Sequence, residues 1–96
     1  MAGGADADQH HMQHQAARAG SQQLTTGAYI AWMTLRDHPR LTSALAIADG
    51  PYRIGSIDET RIEAGLLELE RLGLAAHRDF RAVGGWHLTH AGLALV

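Results

Sequence analysis

Cysteine is absent from this 96-residue chain, which excludes disulfides, thiolate metal ligands and a cysteine nucleophile. That absence is compatible with a reducing compartment, and a cytoplasmic location is the expectation. Lysine is absent as well: all eight basic residues are arginine, leaving only planar, forked cations that suit phosphate and carboxylate. No apolar run approaches the roughly 18 residues a membrane span needs, so no membrane partner is predicted. The first residues lack the basic stretch and apolar run of a secretory signal. Neither sign of charge dominates, since ten acids stand against eight arginines for a formal net charge of −2. No global basic field draws the chain toward nucleic acid or an anionic surface. Missing too are a G-x-S-x-G elbow, a phosphate-binding P-loop and an H-E-x-x-H metal helix. No enzymatic activity and no cofactor are therefore expected.

What is present divides the chain in two. Residues 1–23 are Ala, Gly, Gln, His and Asp with almost no large apolar side chain. Such a segment buries too little surface to offset its ordering entropy and reads as a flexible N-terminal arm. His10 and His14 would share a helix face with Asp6, but nothing in the arm fixes a preformed geometry, and no metal site is predicted. Residues 24–96 carry the patterning of one small domain. Thr25 or Thr26 is placed to cap a helix running to about Asp37, apolar around much of its circumference through Tyr29, Ile30, Trp32, Met33 and Leu35. Pro39 stops it. A shorter helix is expected over Leu41 to Ala48, closed by Gly50-Pro51.

The second half is the more informative. Ser56 and Glu59 form an S-x-x-E capping box for a third helix over residues 57–72. Ile62, Leu66, Leu69 and Leu72/Gly73 repeat at the helical period and define its core face. Gly73 stands where a left-handed helix stop is expected. Leu74 to Ala82 reads as a strand, Gly84-Gly85 as a hairpin turn, and Trp86 to Thr89 as the returning strand. Trp86 and Leu88 fall on its inner face, His87 and Thr89 on the other. Thr89 then caps a terminal turn.

The run Leu69-Glu70-Arg71-Leu72-Gly73-Leu74, then a hairpin, then Trp86-His87-Leu88-Thr89-His90-Ala91-Gly92 resembles winged helix-turn-helix regulators of the MarR and PadR kind. The resemblance covers about Leu24 to Leu95. It implies a mostly α fold, with a three-helix core and a two-stranded wing, and a DNA-binding transcription regulator of bacterial or phage origin. It also implies that helix 57–72 lies at the major groove with Thr60, Arg61 and Ala64 near base edges, in company with Asp58, Glu59 and Glu63. The wing, residues 77–86, would bring Arg78 and Arg81 to the backbone, joined by Arg53 from the preceding connection. A lone copy offers one half-site and would bind double-stranded DNA weakly, so a homodimer or a heterologous partner is implied.

Charge suggests a second reading. Between Asp58 and Leu72 there are five acids and two arginines. Duplex DNA carries a charge roughly every 1.7 Å and repels such a helix. On this reading the same scaffold is a protein-interaction module, with Glu59, Glu63 and Glu70 meeting a basic partner and no DNA bound.

Overall fold

The computed structural model describes residues 23–78 and 85–95. Nearly all of the expected arm, Arg81 and the expected turn residue Gly84 lie outside those residues. The described chain holds four helices and a two-stranded antiparallel sheet. In order these are α1 (Thr26–Asp37), α2 (Ala44–Ala48), α3 (Glu59–Arg71), β1 (Ala75–His77), β2 (Trp86–Leu88) and α4 (His90–Ala94).

Each helix begins on a hydroxyl or carboxylate that accepts an otherwise unpaired amide hydrogen bond. Thr25 caps α1, Ser43 caps α2, Asp58 caps α3 and Thr89 caps α4. Two expected boundaries move for this reason. The second helix starts at Ala44 rather than Leu41, because the Ser43 side chain takes the Ala46 amide at 3.1 Å. The third starts at Glu59 rather than residue 57, because Asp58 takes the Arg61 amide at 3.0 Å. The Ser56–Glu59 box does not form. Ser56 instead follows Gly55 (φ 55°) in a turn closed by the Ile57 amide on the Ile54 carbonyl at 3.1 Å.

Helix α1 is the central element, as its apolar circumference predicts: Ala28, Ile30, Ala31, Trp32 and Leu35 are all buried. Its buried Thr34 hydroxyl donates back to the Ile30 carbonyl at 2.8 Å, so no polar atom is stranded there. Ile62, Leu66 and Leu69 of α3 are fully buried against it, together with Ile47 of α2. Where α1 and α3 cross, the backbones touch. A Cβ on Gly65 would overlap the Gly27 carbonyl carbon and the Ala28 amide nitrogen, and one on Gly27 would overlap the Arg61 carbonyl oxygen.

Helix α3 ends as the glycine predicts. Gly73 has φ 77°, its amide donates to Glu70 at 3.0 Å, and the Leu74 amide reaches back to Leu69 at 2.8 Å. That paired closure is a Schellman motif. It passes the core face from Leu69 to Leu74 and leaves Leu72 outward at 57% exposure, so the expected core position at Leu72 is not one.

The hairpin pairs Ala75 with Leu88, Ala76 with His87 and His77 with Trp86. The described strands are shorter than expected, with residues 79–84 outside the description. Trp86 and Leu88 face the core, as alternation requires, and Trp86 stacks on His77 with ring centroids 4.9 Å apart. The Trp86 amide also donates to the Thr42 carbonyl at 3.1 Å, tying the hairpin to the α1–α2 connection. Helix α4 is tied to the core through Gly92, whose carbonyl accepts the buried Trp32 indole N–H at 2.8 Å. Among the described residues, no helix is long and apolar enough to cross a membrane.

Candidate functional site

Helix α3 carries the largest group of candidate residues, and its circumference can be read from its buried face. Residues advance about 100° each around the helix axis. Ile62, Gly65, Leu66 and Leu69 point inward. The stripe opposite them is Thr60, Ala64, Leu67 and Arg71, all exposed. This outward ridge contains no carboxylate. Glu59, Glu63 and Glu70 fall on the flank away from α1, and all three are exposed. Arg61 and Glu68 fall on the flank facing α1.

Two of the five acids between Asp58 and Leu72 are engaged within the chain. Asp58 is the helix cap already described. Glu68 reaches across to the start of α1, where its carboxylate accepts the Thr25 amide at 3.1 Å and the Thr25 hydroxyl at 2.7 Å. Thr25 itself accepts from the Ala28 amide at 3.4 Å, so Glu68 sits on the capping group of the central helix. Nothing in its local sequence sets Glu68 apart from the other acids of α3. A 43-residue separation hid the bond, and the only signal was that Glu68 lies one helical turn after Ala64 on the side of Gly65.

Beside the Gly27–Gly65 crossing lies an open groove of ≈ 380 Å³. Arg61 and Arg71 stand along it with Ala64 and Leu67 between them, and Thr25 and Glu68 complete its wall. Of the residues expected at a ligand, Arg61 and Ala64 are thus brought together. Arg71 and Leu67 join them, and neither is among the residues that the family resemblance implies at the groove. Leu67, 43% exposed, falls opposite the core face that Ile62, Leu66 and Leu69 define by their spacing.

Arg53 lies on the connection between α2 and α3 and is exposed. Its neighbour Tyr52 anchors that connection: the Tyr52 hydroxyl donates to Asp37 Oδ2 at 2.7 Å. Arg36 holds the same carboxylate with Nε on Oδ1 at 2.7 Å and Nη2 on Oδ2 at 2.8 Å, while its guanidinium lies 4.5 Å from the centre of the Trp32 ring. The Arg36 hydrogen bonds, and then that from Tyr52, hold the Asp37 carboxyl well below the usual carboxylate range. Reciprocally, the bond to Asp37 pushes the Tyr52 phenol up.

Arg78 is exposed just past β1, where its amide donates to Gly85 at 2.9 Å. Arg81 lies outside the described residues. Arg36–Asp37 is the only ion pair among the described residues, so Arg53, Arg61, Arg71 and Arg78 each present a guanidinium with no carboxylate across from it. No group of three or more His, Asp or Glu side chains among the described residues is arranged to hold a metal ion.

The chain matches no family model, no curated protein and no solved structure. The functional reading therefore stands on the geometry of α3 and the arginines around it.

Proposed function

We propose that this chain is a winged helix-turn-helix DNA-binding protein, a transcription regulator of the bacterial or phage kind. In this reading α1, α2 and α3 form the helical core and the β1–β2 hairpin is the wing. Helix α3 lies at the major groove with Thr60 and Ala64 toward base edges and Arg61 beside them on the flank facing α1. Arg53 and Arg78, with Arg81, meet the phosphate backbone.

One observation carries the reading: the outward ridge of α3 is free of carboxylates, while Arg61 and Arg71, which have no ion pair among the described residues, stand beside Ala64 and Leu67. The acidic count of the helix, taken from sequence, overstates the repulsion a phosphate would meet. Asp58 and Glu68 are committed to caps, and Asp58 and Glu59 sit where the helix dipole favours negative charge. A single copy contacts one half-site, so a second copy or another protein supplies the rest of the affinity.

The test is fluorescence anisotropy of a mixed-sequence duplex titrated with the protein at several salt concentrations, beside Arg53→Ala/Arg78→Ala. Affinity should fall linearly on logarithmic axes with salt. The double variant should shallow the slope by about two units, since each lost phosphate contact removes about 0.9. Absence of binding even at low salt rejects the reading.

A second reading has its own observation. Glu59, Glu63 and Glu70 share one exposed flank of α3 and have no ion-pair partner among the described residues. Such a face suits a basic protein partner, with the same scaffold serving as an interaction module that does not bind DNA.

A further inference from the structure

The chemistry of the α3 ridge narrows what it would recognise. Hydrogen-bonding readers of base edges are scarce on it: α3 has no Asn or Gln to pair with adenine, and Arg61 is turned toward α1 rather than outward. Arg71 lies on the ridge but in the last turn, where it favours the helix C-terminus. All four glutamates of the chain are in α3, yet none is on the ridge. What remains at its centre is Thr60, Ala64 and Leu67: a hydroxyl, and otherwise only methyl and methylene carbon, with Leu67 43% exposed. In the major groove, the complement of methyl-bearing side chains is the thymine C5-methyl group.

We propose that α3 recognises thymine-containing base pairs through apolar contact of Thr60, Ala64 and Leu67 with thymine methyl groups, rather than through a hydrogen-bonded base code. The inference rests on the DNA-binding reading above. Arg61 on the flank beside α1 and Arg71 at the end of the ridge, neither in an ion pair among the described residues, supply the charge complementarity that brings a phosphate-lined groove to this part of the helix. Covering one apolar carbon contributes roughly 0.8 kcal/mol, which is about fourfold in affinity per methyl group contacted.

The probe that needs no known operator is a regular duplex in which every register is equivalent. The full-length protein is titrated into an alternating dA·dT duplex and into the same duplex with uracil in place of thymine, at two salt concentrations. The change removes the methyl and leaves the hydrogen-bonding edge intact. Wild type should bind the thymine duplex about fourfold tighter or more, with the same salt slope on both. Thr60→Ser/Leu67→Ala keeps the hydroxyl but trims the methyl surface. Both positions are exposed, so its melting temperature should match wild type, and its two affinities should converge.

Equal affinity of wild type for the two duplexes, with salt-dependent binding to both, overturns the methyl reading and leaves DNA binding standing. A preference that persists undiminished in the double variant assigns it to duplex shape and overturns the proposal as well. No salt-dependent binding to either duplex removes the DNA-binding reading itself, and this proposal with it.

Discussion

The Glu68 carboxylate and Thr25 form a double hydrogen bond, amide and hydroxyl both donating, at 3.1 and 2.7 Å. It joins the helix that would meet a ligand to the cap of the helix that forms the core. An acid that looks like surface decoration thus fixes where α1 begins relative to α3.

Glu68→Ala is expected to cost about 1–2 kcal/mol of stability, in the range of a charge-assisted hydrogen bond or a lost cap. Thr25→Val should cost a similar amount, and the double variant little more than either alone. Urea unfolding of the four proteins in a double-mutant cycle gives the coupling. Additive losses would show that the two residues act independently.

The backbone contact at the α1–α3 crossing leaves no room for a side chain at Gly65. Gly65→Ala drives a methyl into the α1 main chain, which cannot turn aside as a side chain does. Overpacking of this kind costs roughly 1–3 kcal/mol or more. Thermal unfolding should show a clearly lowered melting temperature. Ala64→Gly, one residue away on the outer face, should lose only the ~1 kcal/mol of helix propensity.

Acid sensitivity is expected to centre on Asp37. Its folded-state pKa is depressed by Arg36 first and Tyr52 second. A depressed carboxylate contributes stability that is complete above its unfolded pKa of about 3.9 and disappears as pH falls through the folded value. Asp37→Asn should therefore destabilise the protein at pH 7 and flatten the decline expected of wild type below about pH 4. Urea midpoints measured from pH 3 to 7 test this. Parallel curves for wild type and variant would assign the acid loss to other groups.

Glu63→Arg separates the two functional readings. On the flank of α3 it replaces an acid with a phosphate-binding cation. DNA affinity should rise, with the salt slope steeper by up to about one unit. If the acidic flank docks a basic protein, the same substitution should abolish that complex. Anisotropy on a mixed-sequence duplex and co-purification of the full chain with its partner read the two outcomes separately.

Much of this architecture was legible in the residue order because it depends on local physics. Thr25, Pro39, Gly73 and Thr89 mark helix ends through capping groups and permitted backbone angles, which act within a few residues. Ile62, Leu66 and Leu69 name their own buried face by spacing alone, and Trp86 and Leu88 do so by alternation. The cap of α3 is misassigned at that level: the S-x-x-E spacing puts it on Ser56 where Asp58 holds it, since both side chains suit the position. The turn at Gly55 settled it. Three relationships needed the packed chain. Glu68 meets Thr25 across 43 residues, Gly65 meets Gly27 at the crossing, and Thr25 lines one groove with Arg61, Leu67 and Arg71. Periodicity reports that a helix has an inner face. It does not report which neighbour lies along each flank, and that neighbour decides whether an acid is a cap, a repulsive charge or a docking group.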